Sequence, residues 1–485
     1  MSKEQAYARP MIDHVRKRII IIILCAIFMS LLSVSIVNVA LPSIQSSLNT
    51  SFADLQWILA GYTLSFGVIL VAAGRAGDLF GRGALFIFGT LLFTIASIAA
   101  GLATEPLFLN VARILQGIGS GLLTPQGVGM IQQYFHGKER AWAFGLFGTT
   151  VGLSVALGPV LGGLFIKLFG ADLGWRLTFL INVPAGLLTM TLAWLWLPRP
   201  LLAVEKFKHP GWFTALDPIG AVILGLAVLA ILFPFVESYR SPILWVLLPI
   251  GLILSFIFIR WEQFYERKNL SPMVNLHLFS IPSYRNGNLV MCLLFLGITS
   301  IWVLIPIYLQ QVLGFSAFAA GFMAVPSALM LSFTAGRAGK AVAIHGIKVV
   351  IVGLIVSLIA LILSILVLYL NAQYGLSIWW LAVTLAILGV GQGATISPTQ
   401  TLTLGEVPLD YAGSAGAVLQ TGQRMGSSIG IAVITAIVFT LQPNYSWMVA
   451  MVVGFITIII IIAFALLVSV LDWRNSRLNT NELSA

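Results

Sequence analysis

The chain has 485 residues, 59% apolar and only 9% charged, with 26 Lys and Arg against 16 Asp and Glu and a mean hydropathy of +1.01. Length alone would allow three soluble domains, but a soluble core does not need apolar runs as long as those in this chain. Composition excludes a soluble enzyme and points to an all-α polytopic membrane protein, whose helices each cross roughly 30 Å of hydrocarbon with their backbones hydrogen-bonded internally.

The first apolar run, 18–41, is too long for a cleavable signal peptide, and no A-x-A-like site follows Ile19–Ile23. Asn38 in this run is a candidate for lining a cavity. The second run, 54–74, carries another such candidate, Gln56, and leads into Gly74-Arg75-Ala76-Gly77-Asp78-Leu79-Phe80-Gly81-Arg82-Gly83. A glycine-rich turn at this point, with Gly74 and Gly81, joins two helices closely. Asp78 is placed to accept hydrogen bonds from a neighbouring helix N-terminus and to pair with an arginine such as Arg82, a lock that holds one conformation.

Runs at 84–103 and 107–131 follow. Arg113 falls near the middle of the second of these, where a guanidinium is costly unless it faces protein, water or a partner. Gln116 and Gly117 share its face. Arg113 is expected to border a wet passage, where it organises a protonation network, binds an anionic substrate group or hydrogen-bonds to carbonyls. The fifth run, 142–165, contains Gly148-x-x-x-Gly152 and then Gly158-Pro159-Val160-Leu161-Gly162-Gly163. Pro159 is expected to bend the helix as a hinge, with Gly158, Gly162 and Gly163 offering a close sliding surface. The sixth run is 176–197.

Polar connections at 198–216 and 262–285 bracket two further runs, 217–236 and 243–261. Six more follow at 286–312, 318–338, 347–370, 376–398, 413–440 and 446–471. In the first of these, Trp302 is placed to stack on an aromatic or cationic substrate, with Tyr308 and Gln310 as further cavity candidates. Gln400 and Gln420 are others. Arg424 lies four residues after Gln420 on one polar stripe, close enough to its helix end for snorkelling. The chain therefore divides into a six-helix bundle at 1–200, an inserted pair at 201–275 and a second six-helix bundle with a short tail at 276–485. Gly74-Arg75-Ala76-Gly77-Asp78 after the second run is echoed by Gly336-Arg337-Ala338-Gly339-Lys340 after the tenth, the second of the later block. A repeated six-helix unit permits alternating access by rocking two related halves about a central site.

With the N-terminus inside, 21 of the 26 Lys and Arg fall in cytoplasmic segments, which places both termini in the cytoplasm. This spread over many short loops accounts for the net charge of +10 without a nucleic-acid surface. Cys25 and Cys292 sit in separate apolar runs with no metal spacing, and no histidine lies inside a run. No phosphate-binding GxxxxGK[ST] or zinc HExxH occurs, and no GxSxG elbow is followed by a coherent hydrolase pattern, so neither an enzyme nor a cofactor is expected.

On these residues, over about 15–475, the chain resembles the major facilitator superfamily, and within it the fourteen-helix drug–proton antiporter family. Gly74–Gly83 matches that family's gating loop, Leu109–Gly121 its fourth-span signature with the intramembrane arginine at Arg113, and Gly158–Gly163 its antiporter signature in span five. Trp175–Phe179 with Asn182-Val183-Pro184-Ala185-Gly186 resembles the approach to span six. Ile36-Val37-Asn38-Val39-Ala40-Leu41-Pro42 matches the first-span pattern, but Ser33 stands where the family carries an acidic residue implicated in proton coupling. The resemblance implies a bacterial plasma-membrane exporter of amphipathic or lipophilic small molecules, working as a monomer in the bilayer with protons as counter-substrate. Ser33 leaves the coupling open, because a hydroxyl cannot cycle a proton near neutral pH. Gradient-independent transport of an anionic or lipid-like molecule is the alternative, and a membrane receptor or scaffold is a third reading.

Overall fold

The structure, a computed structural model, describes residues 13–50, 52–202, 212–237, 241–268, 270 and 272–482. Every regular element in this range is helical. The first half comprises α1 (His14–Leu48), α2 (Phe52–Phe80), α3 (Arg82–Gly101), α4 (Pro106–Tyr134), α5 (Gly137–Leu180) and α6 (Asn182–Trp196). A short α7 (Trp212–Leu216) leads into the inserted pair, α8 (Pro218–Glu237) and α9 (Leu247–Arg267). The second half comprises α10 (Pro282–Ile298), α11 (Ile301–Gln311), α12 (Ala317–Phe322), α13 (Val325–His345), α14 (Lys348–Tyr374), α15 (Trp380–Thr403), α16 (Ala412–Leu441) and α17 (Trp447–Glu482).

Thirteen helical stretches among the described residues are long and apolar enough to cross a bilayer, and the longest, Gly137–Trp196, runs for 60 residues. That is roughly 90 Å at the helical rise, far more than one membrane thickness. The chain turns back within it at Gly170, whose φ of 78° breaks the helix. Beyond the turn, Gly174 lies so close to the preceding arm of the helix that a Cβ there would sit 2.6 Å from Ile166 Cα. Counting the two arms of Gly137–Trp196 separately gives fourteen helical stretches of membrane-spanning length among the described residues.

The helices present large apolar side chains outward, among them Phe88, Ile95, Leu195, Phe256 and Ile362. Between helices the residues are small. Gly119 of α4 packs where a Cβ would lie 2.6 Å from Phe93 N, and the hydroxyls of Thr90, Thr94 and Ser97 on the same α3 face bond back to carbonyls four residues earlier at 2.7–2.8 Å. Lipid offers no hydrophobic drive for helix association, so close approach through glycine and self-satisfied hydroxyls supplies the contact instead.

The sequence echo corresponds to a real equivalence of packing. In the first half α1 packs on α5, and α2 and α3 pack on α4; in the second α10 packs on α16, and α13 and α14 pack on α15. The two halves meet along two seams related in the same way, α2 on α16 and α13 on α5. Gly74 of α2 abuts Gly413, where a Cβ would meet the Gly413 oxygen at 2.6 Å, and Gly339 of α13 abuts Gly145 and Ala141 just as tightly. Within the second of these seams, Thr149 Oγ1 donates to the Ser332 carbonyl at 2.9 Å and Ser332 Oγ to the Thr149 carbonyl at 3.0 Å. The inserted α8 packs on α2 and α16, and α9 packs on α8 with Leu252, Ile253 and Phe256 exposed.

Two local expectations are corrected. Gly74–Phe80 is not a turn but the last two turns of α2; the only non-helical residue in the connection is Gly81, with φ 108°. Apolar periodicity ends at Gly74, whereas the helix is prolonged beyond it by its contact with α16. Pro159 does not break α5 either, since the backbone stays helical through it and the break falls at Gly170.

Candidate functional site

At the terminus-bearing end, the Asp78 side chain is fully buried and collects four hydrogen bonds. Arg82 Nη2 and Nε donate to Oδ1 at 2.7 and 3.2 Å, and the backbone N–H groups of Gly413 and Ser414 donate at 2.8 and 2.9 Å. Those two N–H groups belong to the first turn of α16, where unsatisfied donors and the helix dipole favour an anion. Arg82 extends the contact, donating to Leu409 O of the second half at 2.8 Å and to Gly129 O and Gln133 in its own half. Gln132 reaches Ala412 O at 3.0 Å, and Arg140 reaches Gly405 O at 3.0 Å. One carboxylate thus ties the halves together at this end. The equivalent position in the second half is Lys340, which cannot accept, so the latch exists on one seam only.

Arg113 sits elsewhere than expected. It is fully buried inside the first half, with Nε on Ile58 O at 2.8 Å, Nη1 on the Gln116 carbonyl and on Ser33 Oγ at 3.4 Å, and the guanidinium 4.4 Å from the Tyr62 ring centroid. Gln116 in turn donates to Ser97 Oγ at 2.7 Å. Every partner lies on α1 to α4 or, through Phe179, on the returning arm of α5. Arg113 therefore borders no passage; it pins four helices of one half. Ser33 does occupy the place facing this arginine, so a carboxylate there would have formed a buried ion pair.

A cavity of about 240 Å³ lies between the halves. Its first-half wall is mostly apolar, with Leu31, Val34, Phe66, Phe147 and Val151, and its second-half wall is polar, with Gln400, Gln420, Gln423, Arg424 and Ser427. Arg424 does not snorkel to the helix end. Its guanidinium stacks on Phe66 at 4.5 Å, and Phe66 lies parallel to Tyr62, which carries Arg113 on its far face. Two cations are thus stacked on one pair of rings, one sealed in the first half and one open to the cavity. The stacking offsets part of the cost of holding Arg424 at membrane depth.

The remaining candidates separate. Gln420 lines the cavity as expected. Asn38 is exposed one turn beyond Val34 on α1 and is not among the residues that line the cavity. The side chain of Gln56 lies outside the described residues. Tyr308 is 3% exposed and packs in the apolar core with Leu304 and Leu309, while Gln310 is exposed and Trp302 half-buried, and none of the three lines the central cavity. Gly158 and Gly162 admit the close approach of α1: a Cβ at Gly158 would lie 2.9 Å from Ile36 N and one at Gly162 would lie 3.0 Å from Ile36 O. Gly163 faces Phe318.

One pair leaves no signal in the sequence. Glu262 of α9 is 1% exposed and Asp217, at the start of α8, is 0% exposed. They are electrostatic neighbours beside Arg75 of α2, which donates to Ala215 O at 3.2 Å. Asp217 Oδ1 accepts from Trp261 Nε1 at 2.9 Å and Gly220 N at 3.0 Å, and the Asp217 carboxyl faces that of Glu262, which the backbone N–H groups of Met273 and Val274 also approach. Hydropathy puts Glu262 at the start of a polar connection; Met273 and Val274, which are buried, fold back toward it and remove it from solvent.

The family description "Major Facilitator Superfamily" matches residues 23–431 and 287–481 of the chain. The chain is 34% identical over 433 residues to the probable actinorhodin transporter of Streptomyces coelicolor, covering 87% of this chain and 72% of that protein. It is 30% identical over 430 residues to the cephamycin export protein CmcT of Amycolatopsis lactamdurans, covering 84% and 82%. Among solved structures, the proton:xylose symporter XylE superposes with a TM-score of 0.66 at 15% identity, covering 94% of this chain and 95% of that one.

Proposed function

Since the chain belongs to the major facilitator superfamily, we propose that it is a small-molecule exporter of a bacterial plasma membrane, working as a monomer by alternating access with both termini in the cytoplasm. The observation that carries this reading is the combination of a two-walled cavity between the halves with a breakable latch at one end only. A static receptor or scaffold has no use for such a latch. The conformation described is closed on the side of the termini, the cytoplasmic side by the charge bias of the loops. Substrate is then released from the opposite face. Relatives named as a cephamycin export protein and a probable actinorhodin transporter support export of amphipathic compounds.

Proton antiport is the coupling this reading favours, and Ser33 moves the proton site. Two buried carboxyls facing each other at hydrogen-bonding range are suited to share a proton between them. Asp217 and Glu262 do so next to Arg75, three residues before Asp78 on α2, so a change in their protonation reaches the latch through one helix. Sealed vesicles containing the purified protein, made acidic inside, test this with a panel of neutral, anionic and cationic amphiphiles. Accumulation of at least one compound that collapses with the gradient is expected, and Glu262→Gln is expected to remove the gradient's effect while leaving exchange flux. Flux indifferent to the gradient supports the facilitator alternative, and no flux for any compound removes the exporter reading.

A further inference from the structure

We infer that the central cavity takes amphipathic monoanions, with Arg424 as the residue that recognises the anionic group. The inference deepens the exporter reading and rests on it.

The cavity holds one formal charge. No Asp or Glu is among its lining residues, and Arg424 is the only Lys or Arg there. Stacking on Phe66 occupies the face of the guanidinium at 4.5 Å, which leaves its N–H donors pointing outward in the plane. None of those donors has an acceptor among the described residues. The neighbouring amides are in the same condition: Gln420, Gln423 and Gln400 each leave one amide end buried without a partner. Gln420 is 8% exposed and Gln400 4%. The orphan ends of Gln420 and Gln423 are Nε2 donors, and that of Gln400 is the Oε1 acceptor; buried polar groups are ordinarily paired, and two donors beside an uncompensated cation are completed by a ligand with several acceptor atoms.

A carboxylate matches this edge, because the fork of a guanidinium bonds its two oxygens bidentately in water-poor surroundings. The first-half wall determines the rest of the molecule. Phe66, Phe147 and Val151 there, with Phe295 of the second half beside them, offer apolar and aromatic surface, so the body of the ligand is a ring system. Arg424 belongs to the second half and Phe66 to the first, so an anion that draws the guanidinium off the ring loosens a contact between the halves. A lipophilic cation meets the opposite situation: no carboxylate offsets its desolvation, and Arg424 repels it.

The test uses three ligands of one shape and three charges: 4-biphenylacetate, 4-biphenylacetamide and 4-phenylbenzylamine, with binding to the purified protein measured by calorimetry. The carboxylate is expected to bind at least about tenfold more tightly than the amide, with the amine weakest. Arg424→Gln is expected to bring carboxylate and amide within about twofold of each other, and Arg424→Lys to keep part of the preference. The inference is overturned if the amine binds best, if none of the three binds, or if Arg424→Gln weakens carboxylate and amide equally. Any of those results obtained while vesicle flux persists leaves the exporter reading standing; loss of flux for the whole panel removes both.

Discussion

Replacement of Asp78 by Asn is expected to release the cytoplasmic latch while leaving the protein folded. The amide keeps the shape and one acceptor oxygen, but it loses the charge that Arg82, Gly413 N and Ser414 N all address. Removing one partner of a buried ion pair costs about 3–5 kcal/mol because the other charge stays buried without compensation. That cost falls on the conformation closed at this end and not on the opposite one, where Arg82 regains water. A difference of about 3 kcal/mol corresponds to roughly a hundredfold shift in population. The readout is maleimide labelling of Gln132→Cys, a residue buried in the closed seam against Ala412 O. Cys25 and Cys292 are first replaced by Ala to silence the background. Labelling at least about tenfold faster in Asp78→Asn is expected; an unchanged rate would separate Asp78 from the seam.

Arg113→Ala is expected to act on stability instead. The substitution deletes a side chain with no solvent exposure, leaves Ile58 O and the Gln116 carbonyl without their donor, and opens a void beside Tyr62. Lost charge-assisted hydrogen bonds and an unfilled cavity together cost about 2–5 kcal/mol. Thermal unfolding of the purified protein measures it. Any change in ligand affinity is expected to be equal for 4-biphenylacetate and 4-biphenylacetamide, because Arg113 does not line the cavity. A selective loss of the carboxylate in Arg113→Ala would transfer anion recognition from Arg424 to this residue.

The contrast between these two arginines marks how far the sequence can be read. Hydropathy alone gives fourteen crossings, since the bilayer imposes one length and one solvent on every span. Asp78 is legible because a carboxylate set among glycines at a helix end has few other uses. Spacing puts Arg113 and Gln116 on one face, as their hydrogen bond requires. Helical periodicity, however, cannot tell whether that face looks into its own half or into the gap between halves. For Arg424 the distance from the span end suggests a snorkelling route, but its side chain is held in the cavity by a ring from the other half. Tyr308 misses the cavity because it packs into the apolar core with Leu304 and Leu309, a choice of neighbour that its own sequence position does not announce. Glu262 is hidden because its burial depends on Met273 and Val274 returning over it, and a contact made by chain reversal leaves no periodic trace.

The mechanism depends on two rigid halves that part at the latched end as they close at the other. Electron–electron distance measurements on spin labels test this directly, with one pair at His136 and Leu409 on the latched end and another at Asn49 and Tyr374 on the far end. In the protein with Asp78 intact, the first pair is expected to give a single short distance. In Asp78→Asn a longer component is expected for that pair, together with a shorter component for the far pair. Distributions that stay the same for both pairs, or that lengthen together, would contradict the rocking of two halves about the Arg424 cavity.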